Sequence, residues 1–246
     1  MGMTNTRSWI RAGLLGLPLY GLLTLWASRG AQPNPDEDYE AWARFVTTDV
    51  YLLTHVLGSG LGLIVVIFGT FALSVHLAGT RAARLGLAAM VIAVFGQSIF
   101  LFFEGVSAFG SPLEGRAYLA GMNLDELPGG AASTMQTVVL LTGILLAFVG
   151  NVLLGIAMWR SQSLPKWAGA LWVIAALLMY PFGIVLGAVA TGATPVTVPI
   201  GAGLITVAGA WMVWTYGARP RMRRSLGAMY LRIDLQSTAR RRWTAA

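Results

Sequence analysis

The chain has 246 residues, of which 56% are hydrophobic and only 11% are charged, and its formal net charge at pH 7 is +7. Water-soluble domains average about 25% charged residues, so this composition excludes an ordinary soluble domain and indicates an integral membrane protein. The chain has no cysteine, which excludes thiol oxidoreductases, iron–sulfur centres and thiolate metal sites.

Six apolar segments are each long enough to cross a hydrocarbon core of about 30 Å, which takes about 20 helical residues. They lie at roughly 10–28, 50–76, 86–109, 136–159, 166–189 and 196–216. Strands of a membrane barrel are shorter, about 10 residues, and alternate in polarity. The sequence therefore predicts an all-α integral membrane protein, with a bundle of six transmembrane helices in residues 1–217 and a basic cytoplasmic tail in 218–246.

Basic residues are concentrated on one side of the predicted bundle. Only Arg29, Arg44 and Arg116 fall outside the N-terminus, the second and fourth loops and the tail. Cytoplasmic loops carry the excess of Lys and Arg, so both termini are predicted to be cytoplasmic. An alternative is that the first segment is a cleaved signal peptide, because Arg7 and Arg11 precede it. The following sequence, WASRGAQ, is a poor cleavage site.

The loop between the first two segments, AQPNPDEDYEAWARFVTTD, predicts an interfacial helix over residues 36–49. Acidic residues follow Pro35, where a helix N-terminus favours negative charge. Trp42, Phe45 and Val46 then recur at helical spacing. This helix is expected to lead directly into the second span.

Small residues predict which helix faces pack together, because close backbone approach drives helix association in lipid. Span two carries Gly58, Gly62 and Gly69 along one stripe, and span five carries Gly183 and Gly187 in a GxxxG pattern. We expect both stripes to face other helices of the bundle.

The second and fourth spans begin with similar sequences. LTHVLGSGLGLIVVIFG starts at Leu53 and LTGILLAFVGNVLLG starts at Leu141, and a short basic turn follows each span. This similarity predicts a parallel hairpin repeat, spans two and three matching spans four and five, with Gly62 equivalent to Gly150. Such repeats are common in transporters, whose binding sites lie at repeat interfaces.

Two ionisable residues lie at equal depth in adjacent predicted spans. His55 lies on the packing stripe of span two. Glu104 shares one face of span three with Gln97 and Ser107. At a rise of about 1.5 Å per residue, His55 and Glu104 both lie about 8 Å below the outer boundary. An imidazole and a carboxylate placed in this way can meet.

An unpaired charge in the membrane core is costly, so intramembrane ionisable residues usually face inward and mark a site. We therefore predict a polar pocket, open toward the outer face, that holds His55 and Glu104. Gln97, Tyr51 and Asn151 are further candidates for binding a substrate. The alternative is a structural role, in which His55 bonds across a helix interface and Glu104 reaches the headgroups.

The tail begins with four arginines directly after the last span and continues with apolar residues at helical spacing: Arg219, Arg221, Arg223, Arg224, Leu226, Met229, Tyr230 and Ile233. This pattern predicts a short amphipathic helix on the membrane surface, with the arginines bound to anionic lipids. The positive net charge is thus assigned to lipid binding and not to nucleic acid. An acidic protein partner is the alternative.

The stretch RSQSLPKWAGALW, residues 160–172, resembles a turn found in small multi-span bacterial proteins grouped as domains of unknown function. The resemblance covers under a tenth of the chain and implies no reaction. The use of 16 Arg against one Lys, with 30 Gly, is typical of a high-GC genome. These features predict a component of a bacterial cytoplasmic membrane.

Three classes of function are compatible with these features. The first is a non-enzymatic component, either an accessory subunit of a larger membrane complex or a small transporter. The second is an enzyme acting on a lipid or isoprenoid, with Glu104 as general acid and His55 tuning it. The third is a redox module with a haem held by His55. No metal site is predicted, because His and Glu occur without a local ligand motif.

Overall fold

The computed structural model describes residues 3–30, 32–123, 130–187 and 195–218, and every regular element in these ranges is helical. The helices are α1 (Met3–Leu14), α2 (Gly16–Ala27), α3 (Tyr39–Val46), α4 (Asp49–Leu53), α5 (Leu61–Ala78), α6 (Ala83–Leu119), α7 (Gly130–Ser161), α8 (Lys166–Met179) and α9 (Thr197–Ala218). Two π-helical segments, Thr54–Gly60 and Tyr180–Val185, continue α4 into α5 and extend α8.

Six helical stretches are long and apolar enough to cross a membrane, which confirms the number of predicted spans. These spans, numbered one to six in chain order, are Thr6–Ala27, Asp49–Ala78, Ala83–Leu119, Met135–Ser161, Lys166–Val185 and Thr197–Ala218. The first span is interrupted near Leu15, because Pro18 has no N–H to donate to the carbonyl of Leu14. The basic tail lies outside the described residues.

The third span is longer than predicted, because α6 continues through Pro112 to Leu119. The prediction ended this span near residue 109, where GSP is typical of a helix end. Packing against α3 explains the difference. A Cβ atom on Gly115 would lie 2.8 Å from the carbonyl oxygen of Ala43, so the two helices touch at their backbones.

Each span packs against the next one in the chain, and the sixth packs against the first. Glycines mark these crossings, since a Cβ atom built on them would lie within about 3 Å of the neighbouring helix: Gly16 on Val65, Gly86 on Leu77, Gly96 on Ala147, Gly155 on Gly169, Gly201 on Ala175 and Gly209 on Pro18. The six spans therefore form a closed ring, in chain order.

The glycine stripe of span two faces span one. Gly58 lies against Ala27, and Gly69 lies against Leu17. Gly62 also faces span one, while Gly150 faces span three, so each of these glycines contacts the preceding span. The hairpin repeat itself stays a prediction.

Contacts place the basic turns at one end of the ring. Arg7 Nη2 donates to the carbonyl oxygen of Tyr216 at 3.1 Å, and its guanidinium lies 5.4 Å from the centre of the Tyr216 ring. His76 Nε2 lies 2.9 Å from Ser163 Oγ. The N-terminus, the end of span six and the turns after spans two and four thus meet at this end, which we call the basic end.

Helix α3 lies at the opposite end of the ring. The carboxylate of Asp38 caps it by accepting from the backbone N–H of Ala41 at 2.9 Å. The helix is shorter than the predicted 36–49, because Thr48 caps a separate helix, α4, by accepting from Tyr51 N at 3.2 Å. The chain therefore turns sharply before span two begins.

The pH dependence of stability at this end can be predicted from Tyr39. Its hydroxyl donates to Glu114 at 2.7 Å. Burial, followed by the hydrogen bond and the charge of Glu114, raises the pKa of Tyr39 above its ordinary value. A raised pKa in the folded state stabilises the protein below the unfolded pKa of about 10, and this contribution is lost as the pH rises above it.

We therefore expect the unfolding temperature to fall between pH 9 and pH 11 by more in the wild type than in Tyr39→Phe. Thermal unfolding in detergent across this range measures the difference. Identical pH profiles for the two proteins would show that this hydrogen bond does not support the fold. Tyr118→Phe is the control, because it changes the tyrosine whose ring packs 4.6 Å from Tyr39 and keeps the bond to Glu114.

Candidate functional site

A cavity of about 800 Å³ lies between the six spans, and we call it the central cavity. Every span contributes to its wall, including Tyr20 from span one, His55 from span two, Glu104 from span three, Leu140 from span four, Tyr180 from span five and Val198 from span six. Small-molecule pockets have volumes of about 300–1,000 Å³ and are mostly apolar with a few placed polar groups. The central cavity has this size and character.

The cavity extends toward the end of the ring where α3 lies. Arg29, Gln32 and Phe45 line it there. At the inner part of the wall, Tyr20 and Tyr180 are both buried, with 7% and 4% of their surface exposed. A molecule in the cavity would thus lie between a polar rim and a buried pair of tyrosines.

Both π-helical segments face the central cavity. Thr54–Gly60 supplies His55 and Ser59, and Tyr180–Val185 supplies Tyr180. The second segment contains Pro181, which has no N–H and so cannot continue an α-helical ladder. Single π-helical turns are frequent at functional sites because they displace side chains from the regular helix face.

Among the residues that the structure describes, two polar atoms of the cavity wall are fully buried and have no hydrogen-bond partner: Glu104 Oε1 and Thr24 Oγ1. Ser59 is a polar neighbour of the Glu104 carboxyl group, and Tyr20 is a polar neighbour of Thr24. Neither neighbour makes a hydrogen bond of good geometry to these two oxygens. Leaving such an atom unpaired costs about 1–3 kcal/mol, so each of these two oxygens is a position where a polar group inside the cavity would be stabilised by a hydrogen bond.

His55 is held by its own helix. Its Nδ1 atom lies 2.9 Å from the carbonyl oxygen of Tyr51, and the two rings stack with centres 3.9 Å apart. The hydroxyl of Tyr51 lies 3.2 Å from both the carbonyl oxygen and the Oγ of Ser107. Span three therefore orients His55 indirectly, through Tyr51.

The structure brings His55 and Glu104 to the same cavity but does not join them in an ion pair. Within the described ranges, the one salt bridge joins Arg44 and Glu40 on α3. His55 and Glu104 thus contribute two separate polar positions to the wall. No group of three His, Asp or Glu residues in the described part of the chain could hold a metal ion, and haem binding by His55 stays a prediction.

The other predicted candidates lie outside the cavity wall. Gln97 is 1% exposed and its Oε1 atom has no hydrogen-bond partner among the described residues, but it does not line the central cavity. Asn151 accepts a hydrogen bond from Trp172 Nε1 at 3.0 Å, and its Nδ2 atom lies 3.4 Å from the Tyr180 hydroxyl. Asn151 therefore contacts Tyr180, a residue of the cavity wall, on the side away from the cavity.

Most residues of the wall could not be predicted from the sequence, among them the polar residues Tyr20, Thr24 and Tyr180. Tyr20 and Thr24 are four residues apart and so share a helix face. Tyr180 directly precedes Pro181 inside an apolar run. The spacing of Tyr20 and Thr24 and the position of Tyr180 before Pro181 are visible in the sequence. These features indicate a cavity only when the arrangement of the six helices is known. The predicted lipid-binding arginines of the tail lie outside the described residues.

The chain matches no known family model, no curated protein and no solved structure. The six long apolar helices suggest a multi-pass membrane protein by their length and composition.

Proposed function

We propose that this chain is a multi-pass membrane protein that binds a small, largely apolar molecule with a hydroxyl group in the central cavity. The observation that carries the proposal is a pair of buried oxygens, Glu104 Oε1 and Thr24 Oγ1, in the wall of a cavity of about 800 Å³; neither has a hydrogen-bond partner in the described part of the chain. A hydroxyl group can both donate and accept, so it complements a carboxyl group in either protonation state.

The remaining wall favours an apolar body for this molecule. Leu63, Phe100, Phe103, Met179 and Ile184 line the cavity, and hydrocarbon buried against them gains about 25 cal/mol per Å². Long-chain and isoprenoid alcohols combine such a body with one hydroxyl group. We take this class as the ligand.

The cavity supports the transporter version of the predicted function over the accessory-subunit version. Binding sites between the helices of a bundle are typical of small-molecule proteins, whereas an accessory subunit needs only its outer faces. We place the protein in a bacterial cytoplasmic membrane with its basic end toward the cytoplasm. In that orientation the cavity opens on the outer side.

The enzymatic alternative has less support. It needs His55 to tune a general acid at Glu104, yet the Nδ1 atom of His55 is engaged by Tyr51 and no ion pair joins the two residues. Binding requires only the wall that is present. We therefore propose a binding or transport role without a chemical step.

Two threonines offer a matched test of this proposal. Thr24→Val removes an unpaired hydroxyl from the cavity wall, and Thr70→Val removes an equally unpaired buried hydroxyl that does not line the cavity. We expect Thr24→Val to weaken binding of a C16 alcohol carrying a diazirine by roughly 3- to 10-fold, because one hydrogen bond contributes about 1 kcal/mol. Thr70→Val should bind like the wild type.

The measurement is saturable photolabelling of the purified protein in lipid nanodiscs, with an unlabelled C16 alcohol as competitor. Equal affinities for Thr24→Val and the wild type would remove Thr24 from the site. Labelling of the wild type that no competitor displaces would contradict the proposed function.

A further inference from the structure

A second, smaller cavity of about 370 Å³ lies between spans two and three, and we call it the lateral groove. Its walls are apolar and come from Val56, Leu57, Leu61 and Ile64 on one side and Leu101 and Phe109 on the other. Several of these side chains are exposed, from 37% for Val56 to 62% for Phe109. In a membrane-spanning ring, exposed apolar side chains at this level face the hydrocarbon of the bilayer.

The lateral groove and the central cavity share two residues. His55 and Glu104 line both of them. These side chains therefore form the partition between the inside of the ring and the groove on its surface. The polar positions of the site are located where a molecule would pass from lipid into the cavity.

The element beside this partition is irregular. His55 lies in the π-helical segment Thr54–Gly60, and Gly60 and Leu61 of the same span line the groove. Opposite them, Gly105 carries no side chain, and apart from its chain neighbours and the adjacent backbone of its own helix no described atom lies within 4 Å of the position where its Cβ would be. The gap between the spans is thus left open by a glycine on one side and by a displaced helical turn on the other.

Resting on the proposed function, we propose that the apolar alcohol enters the central cavity sideways from the bilayer, through the lateral groove and between His55 and Glu104. The hydrocarbon chain lies in the apolar groove during passage, while the hydroxyl group meets the unpaired Glu104 Oε1. The alternative path, from water past Arg29 and Gln32, would require a water-insoluble molecule to leave the bilayer first.

The groove spans residues 55–64 of span two, which is roughly 13 Å at a helical rise of 1.5 Å per residue. This length and the apolar lining suit an extended hydrocarbon chain. The occupant we assign to the groove is therefore the linear hydrocarbon chain of a single-chain alcohol.

Gly105→Phe tests this route, because the new side chain would fill the groove without a backbone clash. The matched control is Gly203→Phe, since Gly203 also has open space at its Cβ position but lies on span six, away from both cavities. Each protein is reconstituted in vesicles, and the diazirine-bearing C16 alcohol is injected from ethanol, so that it enters the same bilayer before it reaches the protein. Flashes of ultraviolet light at successive times give the rate of labelling.

We expect Gly105→Phe to slow association and dissociation together by at least about 10-fold, because a blocked passage raises the barrier in both directions. The equilibrium affinity should stay within about 3-fold of the wild type, since the wall of the central cavity is unchanged. Gly203→Phe should match the wild type in both rates.

An unchanged association rate in Gly105→Phe would overturn lateral passage and leave the proposed function standing. Lateral passage would also be overturned if Gly105→Phe lowered the affinity without changing the dissociation rate. That result would show that the substitution destabilises the bound state, and the groove would then be part of the binding site. Absence of saturable labelling in the wild type would instead contradict the proposed function itself. The two failures are thus distinguishable.

Discussion

Replacing Gly96 by leucine is expected to prevent the ring of helices from assembling. A Cβ atom at Gly96 would lie 2.2 Å from the backbone nitrogen of Ala147, closer than any real contact. Overpacking a core costs about 1–3 kcal/mol when side chains can move. At Gly96 the clashing atom belongs to the backbone, which cannot move aside as a side chain can. Spans three and four would therefore have to separate, and the loss of folding stability would exceed about 1–3 kcal/mol.

The measurement is the recovery of monodisperse protein after extraction in a mild detergent, followed by thermal unfolding. Gly203→Leu is the control, because the same substitution there meets open space. We expect Gly96→Leu to aggregate or to yield little folded protein, and Gly203→Leu to behave like the wild type. A monodisperse Gly96→Leu protein with an unchanged unfolding temperature would contradict the close approach of these spans.

Replacing Glu104 by leucine is expected to remove most of the affinity for the alcohol probe. The substitution deletes the carboxyl group whose Oε1 atom is buried in the cavity wall without a partner. A hydrogen bond to a charged group contributes about 1.5–3 kcal/mol, so for an ionised Glu104 we expect the affinity to fall by about 10- to 100-fold. The fold should persist, because an apolar side chain suits a helix in lipid.

Gln97→Leu is the matched control for this substitution. Gln97 lies on the same helix, is buried, and also has an oxygen without a partner, but it does not line the central cavity. Competitive photolabelling should therefore give wild-type affinity for Gln97→Leu. Equal affinities for Glu104→Leu and Gln97→Leu would show that the carboxyl group takes no part in binding.

The six spans could be predicted from the sequence because the apolar character of each span is a property of one continuous stretch of residues. An apolar run of about 20 residues is sufficient to identify a membrane helix. The stripe of Gly58, Gly62 and Gly69 likewise predicted a packed face, and this face contacts span one. The end of span three could not be predicted, since the packing of α3 on Gly115 extends α6 past Pro112.

The candidate site was predicted only in part, and the reason is geometric. Equal depth in adjacent spans predicted that His55 and Glu104 share a pocket, and both residues line the central cavity. The direction of the His55 ring depends on a π-helical turn, and the hydrophobic periodicity of the sequence does not predict such a turn. Tyr20, Thr24 and Tyr180 come from spans one and five, and their meeting with Glu104 depends on the closure of the ring.

The most direct test of the central claim is mass spectrometry of the protein extracted from its native membrane in lipid-bilayer particles, without detergent. We predict that one apolar, hydroxyl-bearing molecule co-purifies with each chain and that Glu104→Leu is recovered without it, while Gln97→Leu retains it. Recovery of the wild type with ordinary bilayer lipids alone, in the same proportions as the Glu104→Leu protein, would contradict the account.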